Sequence, residues 1–280
     1  MAGTKRRWTV AAVQMTSTAD RDGNLALAEK LFRRAASSGA DLVAFPENFT
    51  YLHSEGGKNP FAEDLRGEML ARLRGWAREM GCFLLAGSLP ERIPGRTRVF
   101  NTSVLISPGG RMVANYRKIH LFDIDLPGRV SLKESSTVAP GNRAVVASTP
   151  LGKLGLSICY DLRFPELYRR LARKGAQVIF VPSAFTAYTG RSHWMPLLRA
   201  RAIENQCWVV APAQVGRHSR GRESYGHTVI LDPWGDVVAL KKTGQGLACA
   251  EIDLERLRKI RSSLPSLKHM RPHLFGSRLH

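Results

Sequence analysis

Acidic residues are scarce in this 280-residue chain: 23 Asp and Glu stand against 42 Lys and Arg, for a formal charge of +19. A surplus of that size brings nucleic acid, anionic small molecules and anionic membrane surfaces into consideration as partners. No recognised nucleic-acid motif accompanies the charge, so nucleic-acid binding is not expected. Cysteine is also sparse. Cys82, Cys159, Cys207 and Cys249 lie far apart, without a C-x-x-C or any Cys/His grouping, which excludes the usual structural zinc patterns. Long apolar runs are missing as well, so no membrane span is expected. The Trp8 to Val13 run behind Lys5-Arg-Arg is too short for a signal-peptide core and stops at Gln14. These absences together lead to the expectation of a cytoplasmic protein with reduced thiols, in which a cysteine is available for chemistry.

A chain of this length buries a large core, and α/β folds of roughly 200 to 250 residues often form one domain. We therefore expect a single domain over residues 1–280, with a core of about 8–253 and a basic tail over 254–280. From Arg256 onward the chain carries seven Lys or Arg and no acid. The prolines at 265 and 272 argue against one continuous helix there.

The chain resembles itself. Leu31-Phe-Arg-Arg-Ala-Ala-Ser-Ser-Gly-Ala-Asp-Leu-Val-Ala-Phe-Pro-Glu matches Leu167-Tyr-Arg-Arg-Leu-Ala-Arg-Lys-Gly-Ala-Gln-Val-Ile-Phe-Val-Pro-Ser, and both read as helix, glycine stop, buried strand, proline. Cys82-Phe-Leu-Leu-Ala pairs with Cys207-Trp-Val-Val-Ala, and Asn101-Thr-Ser-Val-Leu-Ile-Ser-Pro-Gly-Gly with Gly226-His-Thr-Val-Ile-Leu-Asp-Pro-Trp-Gly. Each copy spells strand, helix, strand, helix, strand, hairpin. Crossover helices cover one face of each sheet, and the other apolar face must also be buried. Stacking the two sheets meets both demands and predicts a four-layer α-β-β-α sandwich with internal two-fold pseudosymmetry. A doubly wound single sheet is the alternative.

Three positions break the repeat chemically. Glu47 follows Phe45-Pro46, where the second copy has Ser183. Lys118 follows the first hairpin, where the same offset gives Thr243. Cys159 ends a strand whose first-copy counterpart passes through Gln14 and Met15. A helix is expected to begin shortly after Cys159, because Pro165 and Glu166 suit a first turn. An acid, a cation and a thiol thus fall at strand exits, where α/β proteins collect ligand sites.

The three types are complementary. A thiol with an ordinary pKa of about 8.5 is only slightly ionised at neutral pH and needs a proton acceptor. Glu47 can supply one if a cation keeps it ionised, and Lys118 is the candidate. Once a carbonyl is attacked, a lysine ammonium and a backbone N–H beside the nucleophile, here that of Tyr160, can stabilise the oxyanion. Each residue also has a simple structural reading: a small core thiol, a cap after Pro46, a surface cation beside Arg117. Glu134 lies on an expected loop. His120, His193 and His227 are possible bases that no spacing singles out.

The motifs Phe45-Pro-Glu47-Asn, Tyr116-Arg-Lys118-Ile-His-Leu-Phe-Asp and Ser157-Ile-Cys159-Tyr-Asp-Leu-Arg-Phe-Pro-Glu closely resemble those of the nitrilase, or carbon-nitrogen hydrolase, superfamily, over about Trp8 to Leu274. The resemblance implies the α-β-β-α fold, a homodimer, and a thioester mechanism with no metal and no organic cofactor. It makes Glu134 a second active-site acid beside Glu47, Lys118 and Cys159. Cys159-Tyr-Asp is similar to the amidase branch rather than to nitrilases, which usually carry Cys-Trp-Glu. The segments Thr189-Gly-Arg-Ser-His-Trp, Leu198-Arg-Ala-Arg-Ala-Ile-Glu-Asn-Gln-Cys and Ala213-Gln-Val-Gly-Arg-His resemble the Nit subgroup, from which Arg191 is a departure. The implied substrate is a small carboxylate-bearing amide, with Ser224-Tyr-Gly-His favouring deaminated glutathione over α-ketoglutaramate. A nucleic-acid-binding or scaffold protein on a silent hydrolase fold is the alternative from another class.

Overall fold

A computed structural model of the chain describes residues 4–52, 59–126, 130–219, 221–271 and 274. The first copy runs β1 (Arg7–Met15), α1 (Arg21–Ser37), β2 (Leu42–Ala44), α2 (Glu68–Met80), β3 (Phe83–Arg92), β4 (Val99–Ile106) and β5 (Met112–Arg117). A connection follows, with β6 (Asp123–Leu126), β7 (Val130–Lys133), β8 (Val138–Ala139) and β9 (Val145–Thr149). The second copy holds β10 (Gly152–Leu156), α3 (Pro165–Arg173), β11 (Val178–Phe180), α4 (Ala187–Asn205), β12 (Trp208–Ala211), β13 (Ala213–Ser219), β14 (Arg222–Tyr225), β15 (Thr228–Leu231) and β16 (Val237–Lys241). β17 (Gly246–Asp253) and α5 (Leu254–Ser263) close the chain.

The repeat is visible in the sheets. One contains the order β1-β2-β3-β4-β5 and the other β10-β11-β12-β15-β16, with the first three strands parallel in each. Alternation along β1 sorts its side chains between two cores. Ala11, Val13 and Met15 pack with Leu25, Ala28 and Phe32 of α1 and Leu73 and Trp76 of α2. Trp8, Val10 and Ala12 instead join a core that includes Leu154 and Leu156 of β10, with Leu171 of α3 and Trp194 of α4. The layers are therefore helices, sheet, sheet, helices, and each fully buried leucine or valine in them contributes about 1.5–3 kcal/mol.

Local signals explain the helix ends. Asp20 caps α1 by accepting from the Gly23 N–H, and Gly39 ends the helix turn with φ +89°. Pro165 occupies the first turn of α3, as its fixed φ favours.

Three features depart from the simple repeat. β13 and β14 form an extra hairpin that joins the first sheet beside β1, and β17 pairs antiparallel with β1 from Arg7↔Asp253 to Gln14↔Gly246. The expected core limit at residue 253 also cuts too early: α5 is docked through Leu254 and Leu257, both buried, while Arg261 donates to the carbonyls of Gln206 and Ala176. The helix ends at Ser263, before Pro265, and residues 272–273 and 275–280 of the tail lie outside the described ones. Among the described residues, no helix is long and apolar enough to cross a membrane.

Candidate active site

Strand direction gathers the site. β2 and β3 are parallel, β4 runs back, and β5 returns, so Glu47 beyond β2, Lys118 beyond β5 and Asn101 at the start of β4 share one edge of the first sheet. Cys159 leaves β10 of the second sheet facing them, and all four line a cavity of about 460 Å³.

Close backbone approach fixes two of these exits. Gly87 in β3 lies so near the strand exit before Glu47 that a Cβ there would sit 2.1 Å from the carbonyl oxygens of Phe45 and Pro46. Gly141 does the same for Lys118, with an added Cβ 2.2 Å from the Arg117 carbonyl oxygen. Gly87→Ala must therefore push the Glu47 segment. Since displacement of a reacting group by about 1 Å can cost about 100-fold, we expect kcat for amide hydrolysis to fall by about that factor. Steady-state assays beside wild type check this.

Lys118 is buried, and its Nζ lies 2.8 Å from Glu47 Oε1 and 2.9 and 3.1 Å from the Glu134 carboxylate oxygens. Burial opposes its charge, but the two carboxylates more than compensate, so its pKa is well above the ordinary lysine value. Burial likewise works against ionised Glu47. Lys118, the Cys159 thiol and the Ala184 N–H, at 2.9 Å from Oε2, nonetheless hold its pKa below the usual carboxylate range. Burial, followed by the charge of Glu47, drives the Cys159 thiol well up against the opposing pull of Lys118. The resting cluster is thus an ionised Glu47, a charged Lys118 and a protonated thiol hydrogen-bonded to Glu47.

Cys159 adopts φ +47°, a left-handed conformation that costs a non-glycine residue about 1–2 kcal/mol. The turn is held from both sides. The Cys159 N–H donates to the Pro182 carbonyl at 3.0 Å, and buried Asp161 accepts from the Ile158 N–H at 2.8 Å. Asp161 also accepts from the Tyr116 hydroxyl at 2.7 Å and from the His120 N–H at 3.1 Å, tying the cysteine turn to the chain on both sides of Lys118. Tyr160 lines the cavity, and among the described residues no hydrogen bond occupies its backbone N–H.

Glu47, Lys118, Glu134, Cys159 and Tyr160 all line this cavity. Glu134, in a 3-10 turn after β7, is fixed by the Phe122 N–H, 2.6 Å from Oε2. His120, His193 and His227 are not among the described residues that line the cavity: His120 packs flat on Phe164 beside Asp161, His193 lies near Arg163, and His227 contacts the Tyr225 carbonyl. Arg191 is exposed on α4 and stands apart from the lining. Asn101 was missed. Its Nδ2 donates to Glu47 at 3.0 Å and reaches Glu134 at 3.4 Å, while its buried Oδ1 has no partner. The signal was available, because the repeat sets Gly226 opposite Asn101. No group of three or more potential metal ligands occurs among the described residues.

Two stacked sheets flanked by helices, with a carboxylate, a lysine and a thiol at facing strand exits, define an α-β-β-α hydrolase architecture. The chain belongs to the carbon-nitrogen hydrolase family, whose model matches residues 9–262. It is 47% identical over 262 residues to a deaminated glutathione amidase of Synechocystis, covering 92% of this chain and 96% of that one. It is 38% identical over 270 residues to the omega-amidase NIT2 of Xenopus tropicalis, covering 96% and 97%. Among solved structures, the C. elegans NitFhit protein superposes with a TM-score of 0.90 at 40% identity, over 99% of this chain and 67% of that one.

Proposed function

We propose that the chain is a cysteine-dependent amidase that cleaves deaminated glutathione through a thioester. The observation that carries this reading is the buried Glu47–Lys118–Glu134 cluster in contact with the Cys159 thiol in one open cavity. Glu47 takes the thiol proton as sulfur attacks the amide carbonyl, and the Lys118 ammonium with the Tyr160 N–H stabilises the oxyanion. Collapse breaks the carbon-nitrogen bond, and Glu47 returns the proton to the departing amine. Water, deprotonated by Glu47, then attacks the thioester, releasing the acid and restoring the thiol. Glu134 and Asn101 hold Lys118 and Glu47 in place. With deaminated glutathione the products are α-ketoglutarate and cysteinylglycine.

The choice of substrate rests on the greater identity to the deaminated glutathione amidase than to the ω-amidase. We further propose one catalytic domain spanning the chain, a homodimer in solution and a cytoplasmic setting that keeps the thiol reduced. The test is a substrate panel of deaminated glutathione, α-ketoglutaramate and simple amides, with wild type and Cys159→Ala. Wild type should prefer deaminated glutathione, and the variant should lose turnover on every substrate. Equal turnover by the two proteins overturns the mechanism. A preference for α-ketoglutaramate overturns the substrate.

A further inference from the structure

We propose that Ser88 and Gln214 are positioning residues for Glu47, clamping the peptide that follows it so that its carboxylate stays on the Cys159 thiol through every change of charge. Their role rests on the amidase reading above and deepens it. In that mechanism Glu47 gains a proton from sulfur, loses it to the departing amine, and repeats the exchange with water. Its ties to Lys118, Asn101 and the Ala184 N–H are all made to the carboxylate. Hydrogen bonds to an ionised group are roughly twice as strong as neutral ones, so these ties weaken each time the carboxylate is protonated. A base held only by its own charge would loosen in mid-reaction. Neutral ties to its main chain would not.

Such ties are present. Asn48 turns the chain beyond β2 with φ +54°, in the left-handed region that Cys159 also occupies. The peptide between Glu47 and Asn48 is gripped at both polar atoms: the Glu47 carbonyl accepts from Gln214 Nε2 at 3.0 Å, and the Asn48 N–H donates to Ser88 Oγ at 3.0 Å. Ser88 and Gln214 are both fully buried, so removing either leaves a main-chain group without a ready substitute from solvent. Neither is among the described residues that line the cavity.

The sheets build this clamp. Ala86 pairs with Val104 and Leu89 with Thr102, so β3 advances three residues where β4 advances two. The extra residue makes a bulge at Gly87–Ser88, and a bulge re-aims a side chain. Gly87 brings β3 against the carbonyls of Phe45 and Pro46, and Ser88 turns its hydroxyl to Asn48. Gln214 reaches the same peptide from β13. Its Oε1 accepts from the Ser17 N–H at 2.9 Å, its Nε2 also donates to Ser17 Oγ at 2.8 Å, and Ser17 Oγ donates to the Phe49 carbonyl at 2.9 Å. The turn that carries Glu47 is thereby fixed to β3 on one side and to β13 on the other.

The test measures kcat, KM and the pH midpoint of Cys159 alkylation by iodoacetamide, followed by mass spectrometry of the Cys159 peptide. Ser88→Ala and Gln214→Met are compared alone and combined with Glu47→Gln. Each single variant should lower kcat about ten- to a hundredfold, as expected for a displacement of up to about 1 Å, with KM little changed. A displaced Glu47 no longer holds the thiol proton, so the alkylation midpoint should fall. With Gln at position 47 there is no carboxylate left to position, and adding either variant should change residual kcat by less than about twofold and leave the midpoint in place. A residue that merely supports the fold would lower kcat by the same factor in both backgrounds. That result, a loss confined to KM, or single variants with wild-type kcat and midpoint overturns the assignment. If circular dichroism shows that Gln214→Met has not folded, Ser88→Ala and Ser88→Cys, whose sulfur is a weak acceptor, carry the comparison. Wild type without amidase activity overturns the amidase reading itself, and the alkylation midpoints still decide whether Ser88 and Gln214 act on Glu47.

Discussion

Glu47→Gln is expected to lower kcat for amide hydrolysis by at least about a thousandfold, in the upper part of the range for loss of a general acid–base. The amide keeps the shape of the carboxylate but cannot take the thiol proton, protonate the amine or activate water. The thiol should survive and titrate differently. In wild type, burial and then the Glu47 charge hold the Cys159 pKa up, and Lys118 pulls it down. Removing the negative charge leaves burial opposed by the cation alone, so the thiol should ionise at lower pH than in wild type. The pH profile of iodoacetamide alkylation measures this directly: the variant should still be alkylated, with its midpoint displaced downward. For wild type, a Glu47 pKa below its ordinary value of 4.5 places the acid limb of kcat/KM beneath that pH. Unchanged kcat, or an upward displacement of the alkylation midpoint, contradicts the role assigned to Glu47.

The residues behind this experiment were legible to different degrees. Glu47, Lys118 and Cys159 stood out because a duplicated fold supplies its own control, and each differed in chemistry from its counterpart. Glu134 had no such control. It lies in the connection between the copies and was reached only through the family resemblance. Asn101 is poorly legible in the sequence because a polar residue at a strand start is ordinary, and only its register beside Lys118 gives it two carboxylates to bridge. Asp161 was hidden for a related reason: its partners Tyr116 and His120 are more than 40 residues away.

The layers were readable from periodicity, but membership of the sheets was not. β12 ends at Ala211 in the second sheet and β13 starts at Ala213 in the first, so the chain changes sheet across Pro212. An apolar run looks the same in either sheet. The pairing of β17 with β1 likewise joins the two ends of the chain, a long-range contact that local pattern does not encode. The same limit hides the true end of the core, since Leu254 and Leu257 share their helix with the basic run from Arg256 and nothing local shows that they are buried.

Lys118→Met separates the two things the lysine does. Its ammonium holds two carboxylates in a nearly dry cluster, and removing one member of a buried ion group costs about 3–5 kcal/mol. At roughly 2–4 °C per kcal/mol for domains of 150–250 residues, the thermal midpoint should fall by on the order of 10 °C. Activity should fall further than stability explains, because Lys118 is the main influence holding Glu47 ionised against burial. Without it the Glu47 pKa rises, the base is neutralised at rest, and the oxyanion loses a donor of about 3 kcal/mol. Together these predict a kcat loss of more than about a thousandfold. Adding Glu134→Gln to Lys118→Met removes one stranded negative charge, so the double variant should regain part of the thermal midpoint. It should regain none of the turnover, since neither the oxyanion donor nor the charge beside Glu47 returns. Calorimetry and steady-state kinetics on the single and double variants check the two halves. If turnover recovered in step with stability, the lysine would be a scaffold for the carboxylates rather than a participant in the reaction.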